Sequence, residues 1–192
     1  MSASGQLFGA DLPEGFEYRD DFLSLDEESS LIAQIDKIEF ANFEMHGVVA
    51  RRRVAFFGAS YDRGDGPSPP IPGFLFGVRA RLADWARVRD TDFAMALINE
   101  YREGSPIGWH RDAPQYDMVA GLSLVSPCRM RFRPYLSPKQ AERNTQRRMT
   151  THEIELRPRS AYIISADARS KFEHSIPAVD QLRYSITFRT LR

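Results

Sequence analysis

The chain has 192 residues, 42% apolar and 27% charged, with 26 basic and 26 acidic side chains and no formal net charge. That length suits one domain with a substantial core, and the composition excludes a disordered chain, a disulfide scaffold (Cys128 is the single cysteine) and a polycationic nucleic-acid binder. No stretch approaches the roughly 20 apolar residues of a membrane span, and the start lacks the basic and apolar runs of a signal peptide, so a soluble cytoplasmic protein without membrane contact is expected.

Residues 1–15 read as a loose arm. The eight carboxylates and one arginine between Asp11 and Glu28 read as a solvated face rather than a docking surface. Ser24-x-x-Glu27 has the form of a capping box, and Leu31, Ile32, Ile35 and Ile38 follow at helical spacing, which gives a first amphipathic helix. Phe40–Phe43 ends that segment, and Glu44-Met45-His46-Gly47 reads as an exposed turn. From Val48, the run V-V-A-R-R-R-V-A-F-F-G is strand-like, and residues 62–72 are too rich in Gly and Pro for a helix or central strand. Leu75, Val78, Leu82 and Trp85 then predict a second amphipathic helix over residues 74–88.

After Asp90 the pattern shifts to short strands, at 93–98, 117–125, 128–135, 152–156, 161–165 and 183–189. Cys128, Met130 and Phe132 alternate with Arg129, Arg131 and Arg133, one face buried and one charged. Residues 137–151, with Lys139, Arg143, Arg147 and Arg148, read as an exposed basic loop or short helix. Two helices followed by many strands predict an α+β fold, with the helices packed on one sheet of a β-sandwich. The strand count suits a jelly roll but does not separate it from other sandwiches.

The chemistry is concentrated between Asn99 and Asp112, N-E-Y-R-E-G-S-P-I-G-W-H-R-D. In extended backbone, residues two apart project to one side, so His110-x-Asp112 puts an imidazole and a carboxylate on one face. Such a pair plus a distant third ligand is the facial triad of non-haem iron sites. Alone it is also a common hydrogen-bonded surface pair. Of the other histidines, His46 sits in the turn before the basic strand and His152 has no partner at metal spacing, which leaves His174 as the best-placed third ligand. In the terminal strand, Arg183, Ser185, Thr187 and Arg189 share one face and Tyr184, Ile186 and Phe188 the other. If the polar face is inward, it must justify two buried guanidinium groups, and a small dicarboxylate suits their geometry. An outer, solvated face is equally compatible with the strand taken alone.

Together, Asn99-x-Tyr101, His110-x-Asp112, His174 and Arg183-x-Ser185-x-Thr187-x-Arg189 resemble the AlkB family of iron(II)- and 2-oxoglutarate-dependent dioxygenases. The resemblance runs from about Phe16 to the C-terminus and includes R-R-V-A-F-F-G and I-P-G-F-L. It implies one domain over residues 1–192 with a double-stranded β-helix (jelly-roll) core. His110, Asp112 and His174 would bind Fe(II). Asn99, Tyr101, Arg183, Ser185 and Arg189 would bind 2-oxoglutarate, with Arg183 on its distal carboxylate and Arg189 also holding Asp112 in place. Ser185 stands where the family usually has Asn. With O2, the implied reaction hydroxylates an N-methyl carbon of an alkylated base in DNA or RNA, releasing formaldehyde, succinate and CO2, the chemistry of DNA-damage repair.

In the family the segment before the core forms a lid over the substrate, here about residues 44–66. Arg51, Arg52 and Arg53 alternate faces, so one or two reach phosphates, and Phe56, Phe57 and Tyr61 offer stacking surfaces for a flipped base. The expected substrate contacts are Met45, His46, Arg51, Arg53, Phe57 and Tyr61. Repair members often place an acidic residue two positions after the metal Asp, and this chain has Pro114 there. The expectation is a monomeric demethylase of alkylated nucleic acid. The alternatives are the same chemistry on a protein side chain or a modified tRNA, and a catalytically idle jelly-roll binding module.

Overall fold

In the computed structural model, residues 12–45, 48–59, 68–137 and 150–192 are described. Among the described residues, eleven strands and three helices follow the order β1 (Phe16–Arg19), α1 (Leu25–Ile35), β2 (Ala41–Met45), β3 (Val48–Gly58), α2 (Phe76–Ala86), β4 (Phe93–Tyr101), β5 (Ile107–His110), β6 (Tyr116–Leu124), β7 (Cys128–Pro134), β8 (His152–Leu156), β9 (Ser160–Ile164), α3 (Ala166–Ser170), β10 (Phe172–Ile176) and β11 (Arg183–Leu191). A seven-stranded sheet, β1-β9-β6-β11-β4-β3-β2, faces a four-stranded one, β5-β10-β7-β8, and the pairings are antiparallel. This is the expected α+β jelly roll.

Helix α1 begins as the capping box requires. The Ser24 side chain accepts from the Glu27 amide at 3.2 Å, and Glu27 accepts from the Ser24 amide at 2.7 Å. Its buried residues include Leu31 and Ile35, while α2 and the 3-10 turn before it bury Leu75, Val78 and Leu82. Both helices pack on the large sheet, against Ile98, Leu122, Ile186 and Phe188, each 0% exposed. At about 1.5–3 kcal/mol per large apolar side chain removed from water, this layer carries much of the stability.

Four of the short strands escaped the sequence reading, whereas β8 and β9, five residues each, stand where it expected them. β1, β2, β5 and β10 are too short to display an alternation, and tertiary pairing defines them instead. The stretch after α1 is therefore strand β2, paired to β3, rather than only the end of a helical segment. His174 sits in the middle of β10. Of the expected lid, Val48–Gly58 is an integral strand of the large sheet, and residues 46–47 and 60–67 lie outside the described residues. Most of the N-terminal arm and of the basic segment 137–151 lies outside them as well.

Candidate active site between the two sheets

The inner face of the large sheet is set by register. β11 pairs with β4 so that Arg183 lies opposite Tyr101, Ser185 opposite Asn99, Thr187 opposite Leu97 and Arg189 opposite Met95. With a side-chain period of two, these eight residues point the same way, toward the small sheet. From that sheet, β10 and β5 bring His174 directly opposite His110, with ring centroids 4.3 Å apart. Between the sheets lies a cavity of about 500 Å³, within the range of ligand pockets. Its lining includes Asn99, Tyr101, His110, Asp112, His174, Ser185, Thr187 and Arg189.

His110, Asp112 and His174 present ligand atoms that all lie within 4.8 Å of one another. Two of the three are oriented by a neighbour. Arg189 Nε and Nη2 both donate to Asp112 Oδ1, at 2.9 and 2.7 Å, which leaves Oδ2 facing His174 Nε2 at 3.8 Å. His110 Nδ1 lies 2.9 Å from the Gly108 carbonyl, so that nitrogen carries the proton and Nε2 keeps its lone pair. Burial opposes ionisation of Asp112, but the Arg189 guanidinium and the two imidazoles outweigh it and hold the carboxyl well below the usual carboxylate range. Burial, then the neighbouring His110, pushes His174 down to about 3, and burial also lowers His110. Near neutral pH the cluster is thus one carboxylate and two neutral imidazoles, the protonation that a divalent cation requires.

Arg183 tests the fit of an organic anion. Its side chain is 0% exposed, its Nε donates to Ser123 Oγ at 3.1 Å, and its Cζ lies 5.1 Å from the Tyr101 ring centroid. Both terminal nitrogens are buried without a hydrogen-bond partner. A buried guanidinium fork left open is costly unless an anion completes it, and a carboxylate matches it in a bidentate manner. Nearby, the Asn99 amide donates to Ser185 Oγ at 3.3 Å, and Arg52 Nε donates to Asn99 Oδ1 at 3.3 Å. The donor set therefore fits a metal at one end and a dicarboxylate reaching toward Arg183.

The expected substrate contacts are distributed differently. On β3 the cavity face carries Arg52 and Phe56, which line the cavity. Arg53 points outward and pairs with Glu100 at 2.6 Å, Arg51 is exposed, and Phe57 packs under the helices. None of Arg51, Arg53 and Phe57 lines the cavity, because strand parity sends these odd-numbered residues to the other face of β3. His46, Tyr61 and the side chain of Met45 lie outside the described residues. Pro114 and Gln115 line the cavity beyond Asp112. The sequence reading also missed Tyr162 and Arg169. Tyr162 lines the cavity from β9, and Arg169 donates to the Ala113 and Tyr116 carbonyls at 2.7 and 2.8 Å, pinning the loop after Asp112. Neither has a partner at recognisable sequence spacing, so only the fold reveals them.

A family model for the 2OG-Fe(II) oxygenase superfamily matches residues 21–189. The chain is 26% identical over 192 residues to the alkylated DNA repair protein ALKBH8 homolog of Arabidopsis thaliana, a match covering 90% of this chain and 54% of that protein. The chain therefore spans about half the length of that relative. It is 28% identical over 211 residues to the uncharacterized protein L905 of Acanthamoeba polyphaga mimivirus, covering 100% of this chain and 91% of the relative. Among solved structures, OsALKBH1 superposes with a TM-score of 0.68 at 15% identity, over 93% of this chain and 99% of that one. A Pseudomonas putida prolyl-4-hydroxylase gives 0.60 at 13%, with 93% of each chain covered, and at such identities both show a shared fold. With this fold and a matching donor set in place, the chain belongs to the 2OG-Fe(II) oxygenase superfamily, dioxygenases that use Fe(II), 2-oxoglutarate and O2, and it is similar to AlkB homologues within it.

Proposed function

We propose that the chain is an oxidative demethylase of N-alkylated bases in DNA or RNA. The observation that carries this reading is the continuity of the cavity. The cluster of His110, Asp112 and His174 opens onto a region lined by Arg52, Phe56, Leu97 and Tyr116, where a flat, polar-edged group would meet aromatic and cationic side chains. The likeness to a relative named an alkylated DNA repair protein supports the same substrate class.

In this reading His110, Asp112 and His174 hold Fe(II), Arg183 takes the distal carboxylate of 2-oxoglutarate, and Tyr101, Asn99, Ser185 and Arg189 flank its body. Fe(II) with 2-oxoglutarate and O2 supplies the oxidising power to hydroxylate an N-methyl carbon, with succinate and CO2 as co-products. The N–C bond of the hydroxymethyl group then breaks: the hydroxyl gives up its proton, the carbon departs as formaldehyde, and the bonding electron pair returns to the ring nitrogen. The protein's part is positional. Arg189 keeps one oxygen of Asp112 occupied, so the other faces the ligand cluster. The Asn99–Ser185 bond and the Arg52–Asn99 bond fix the polar floor between cosubstrate and substrate. Apolar walls at Leu97, Met95 and Val119 keep bulk water from the reacting atoms. Pro114 offers no acceptor side chain to a cationic base, so recognition falls to the cavity face of β3 and to the loop around Gln115.

The deciding experiment measures succinate and formaldehyde with methylated single-stranded DNA, duplex DNA, RNA and peptides. Stoichiometric formation of both with a nucleic acid is the expected result. Turnover confined to peptides would remove the nucleic-acid reading.

A further inference from the structure

Tyr162 is a buried polar side chain on the cavity wall. Tyr162 lies on β9, which pairs with β6 so that Tyr162 is opposite Gly121. Gly121 lies next to Thr187 of β11, in the strand that carries Arg183 and Arg189. A Cβ built on Gly121 would lie 2.3 Å from Tyr162 Cζ and 2.5 Å from its hydroxyl oxygen. Real Cβ atoms do not approach so closely, so the glycine is what lets the phenol lie flat across β6. A large residue on β9 and a missing side chain on β6 thus act as one unit. The effect is to carry a hydroxyl from the flank of the sheet toward its polar centre.

Two further observations say what the hydroxyl meets there. The ring lines the cavity together with Tyr101, Ser185 and Thr187. The groups acting on it include Arg183 and Arg189, at the two ends of the polar row on β11, and Tyr101, opposite Arg183 on β4. Burial raises the phenol far above its ordinary range, so it keeps its proton and acts as a donor. Next to it, Arg183 offers two unpartnered N–H-bearing nitrogens.

We infer that Tyr162, seated over Gly121, is a cosubstrate-positioning residue. Its hydroxyl donates to the dicarboxylate that Arg183 and Tyr101 receive, and its ring sets the length of acid that fits. The inference concerns the cosubstrate end of the cavity and holds whatever the methylated substrate is. A neutral hydroxyl donating to a charged group contributes on the scale of a factor of about ten in affinity.

The test is calorimetric binding of 2-oxoglutarate, and of the one-carbon-longer 2-oxoadipate, to full-length protein loaded with Mn(II) under nitrogen. Tyr162→Phe keeps the ring and removes the donor. It should weaken 2-oxoglutarate binding about tenfold, with unchanged Mn(II) affinity and an unchanged melting temperature. Gly121→Ala keeps the donor and displaces the ring. It should weaken 2-oxoglutarate binding by a similar factor, and Tyr162→Leu should shift the preference toward 2-oxoadipate. A purely space-filling tyrosine predicts wild-type binding in Tyr162→Phe. That result, or weakened binding accompanied by an equal loss of Mn(II) affinity, would overturn the inference. The nucleic-acid reading is untouched by either outcome, because no nucleic acid is present.

Discussion

The two faces of the large sheet are equally buried and chemically opposite. Along β11, Tyr184, Ile186 and Phe188 point to the helices, and Arg183, Ser185, Thr187 and Arg189 point to the small sheet, yet all seven are at most 9% exposed. On the helix side Ile186 and Phe188 need no polar partner, because contact alone satisfies apolar surface. On the inner side each polar group is answered by another, Ser185 by Asn99, Thr187 by the Leu97 carbonyl and Arg189 by Asp112, until Arg183, whose two terminal nitrogens are left open. Depth of burial therefore does not separate folding residues from functional ones in this protein.

That contrast is open to direct attack, beginning with the largest effect. His110→Ala should reduce succinate formation to background while the melting temperature stays within a few degrees of wild type, because the residue sits on a short edge strand. Retention of wild-type 2-oxoglutarate turnover would mean that the metal cluster is misassigned. Phe188→Ala, one residue from Arg189 but on the opposite face, should do the reverse. A cavity in the helix-side core costs about 3–5 kcal/mol, visible as a lower urea midpoint, whereas turnover per folded molecule is retained. The adjacent pair Arg52 and Arg53 makes the same comparison on β3. Arg52→Gln should lower turnover on nucleic acid severalfold. Arg53→Gln should leave it unchanged and cost about 1 kcal/mol or less, since the Arg53–Glu100 pair is part-exposed and Arg102 also reaches Glu100, at 2.8 Å. Equal effects from the two variants would refute the parity assigned to β3. Smallest, Ser24→Ala removes a cap far from either face and should cost about 1 kcal/mol in thermal unfolding with no kinetic change.

These residues also show what the linear chain reveals and what it conceals. The capping box at Ser24, the two helices and the alternation in β7 and β11 are local patterns, and the structure contains them nearly where periodicity places them. The pair His110-x-Asp112 is visible because its members are two residues apart. Which face Arg51 to Arg53 present is not visible, because alternation gives a period but no phase, and the phase is set by pairing with β4. The strand that holds His174 is hidden for another reason. F-E-H-S-I is a five-residue strand with no clean alternation, and only its placement between β5 and β7 gives it meaning. Tyr162 and Gly121 are 41 residues apart in the chain and neighbours only across strands β6 and β9.

One consequence follows from where His110 stands. β5 is a four-residue edge strand, attached to the small sheet only through β10 and with an irregular register between His110 and Ile107. Edge strands this short open easily, and local opening free energies near such edges fall well below the global stability. A cation shared by His110 on β5 and His174 on β10 would clasp the loosest strand to its neighbour, so occupancy of the site and closure of the sheet edge become one equilibrium. Amide exchange should report it. Adding a chelator to metal-loaded protein should accelerate exchange across Ile107–His110 first, and the helix-side strands should keep their protection.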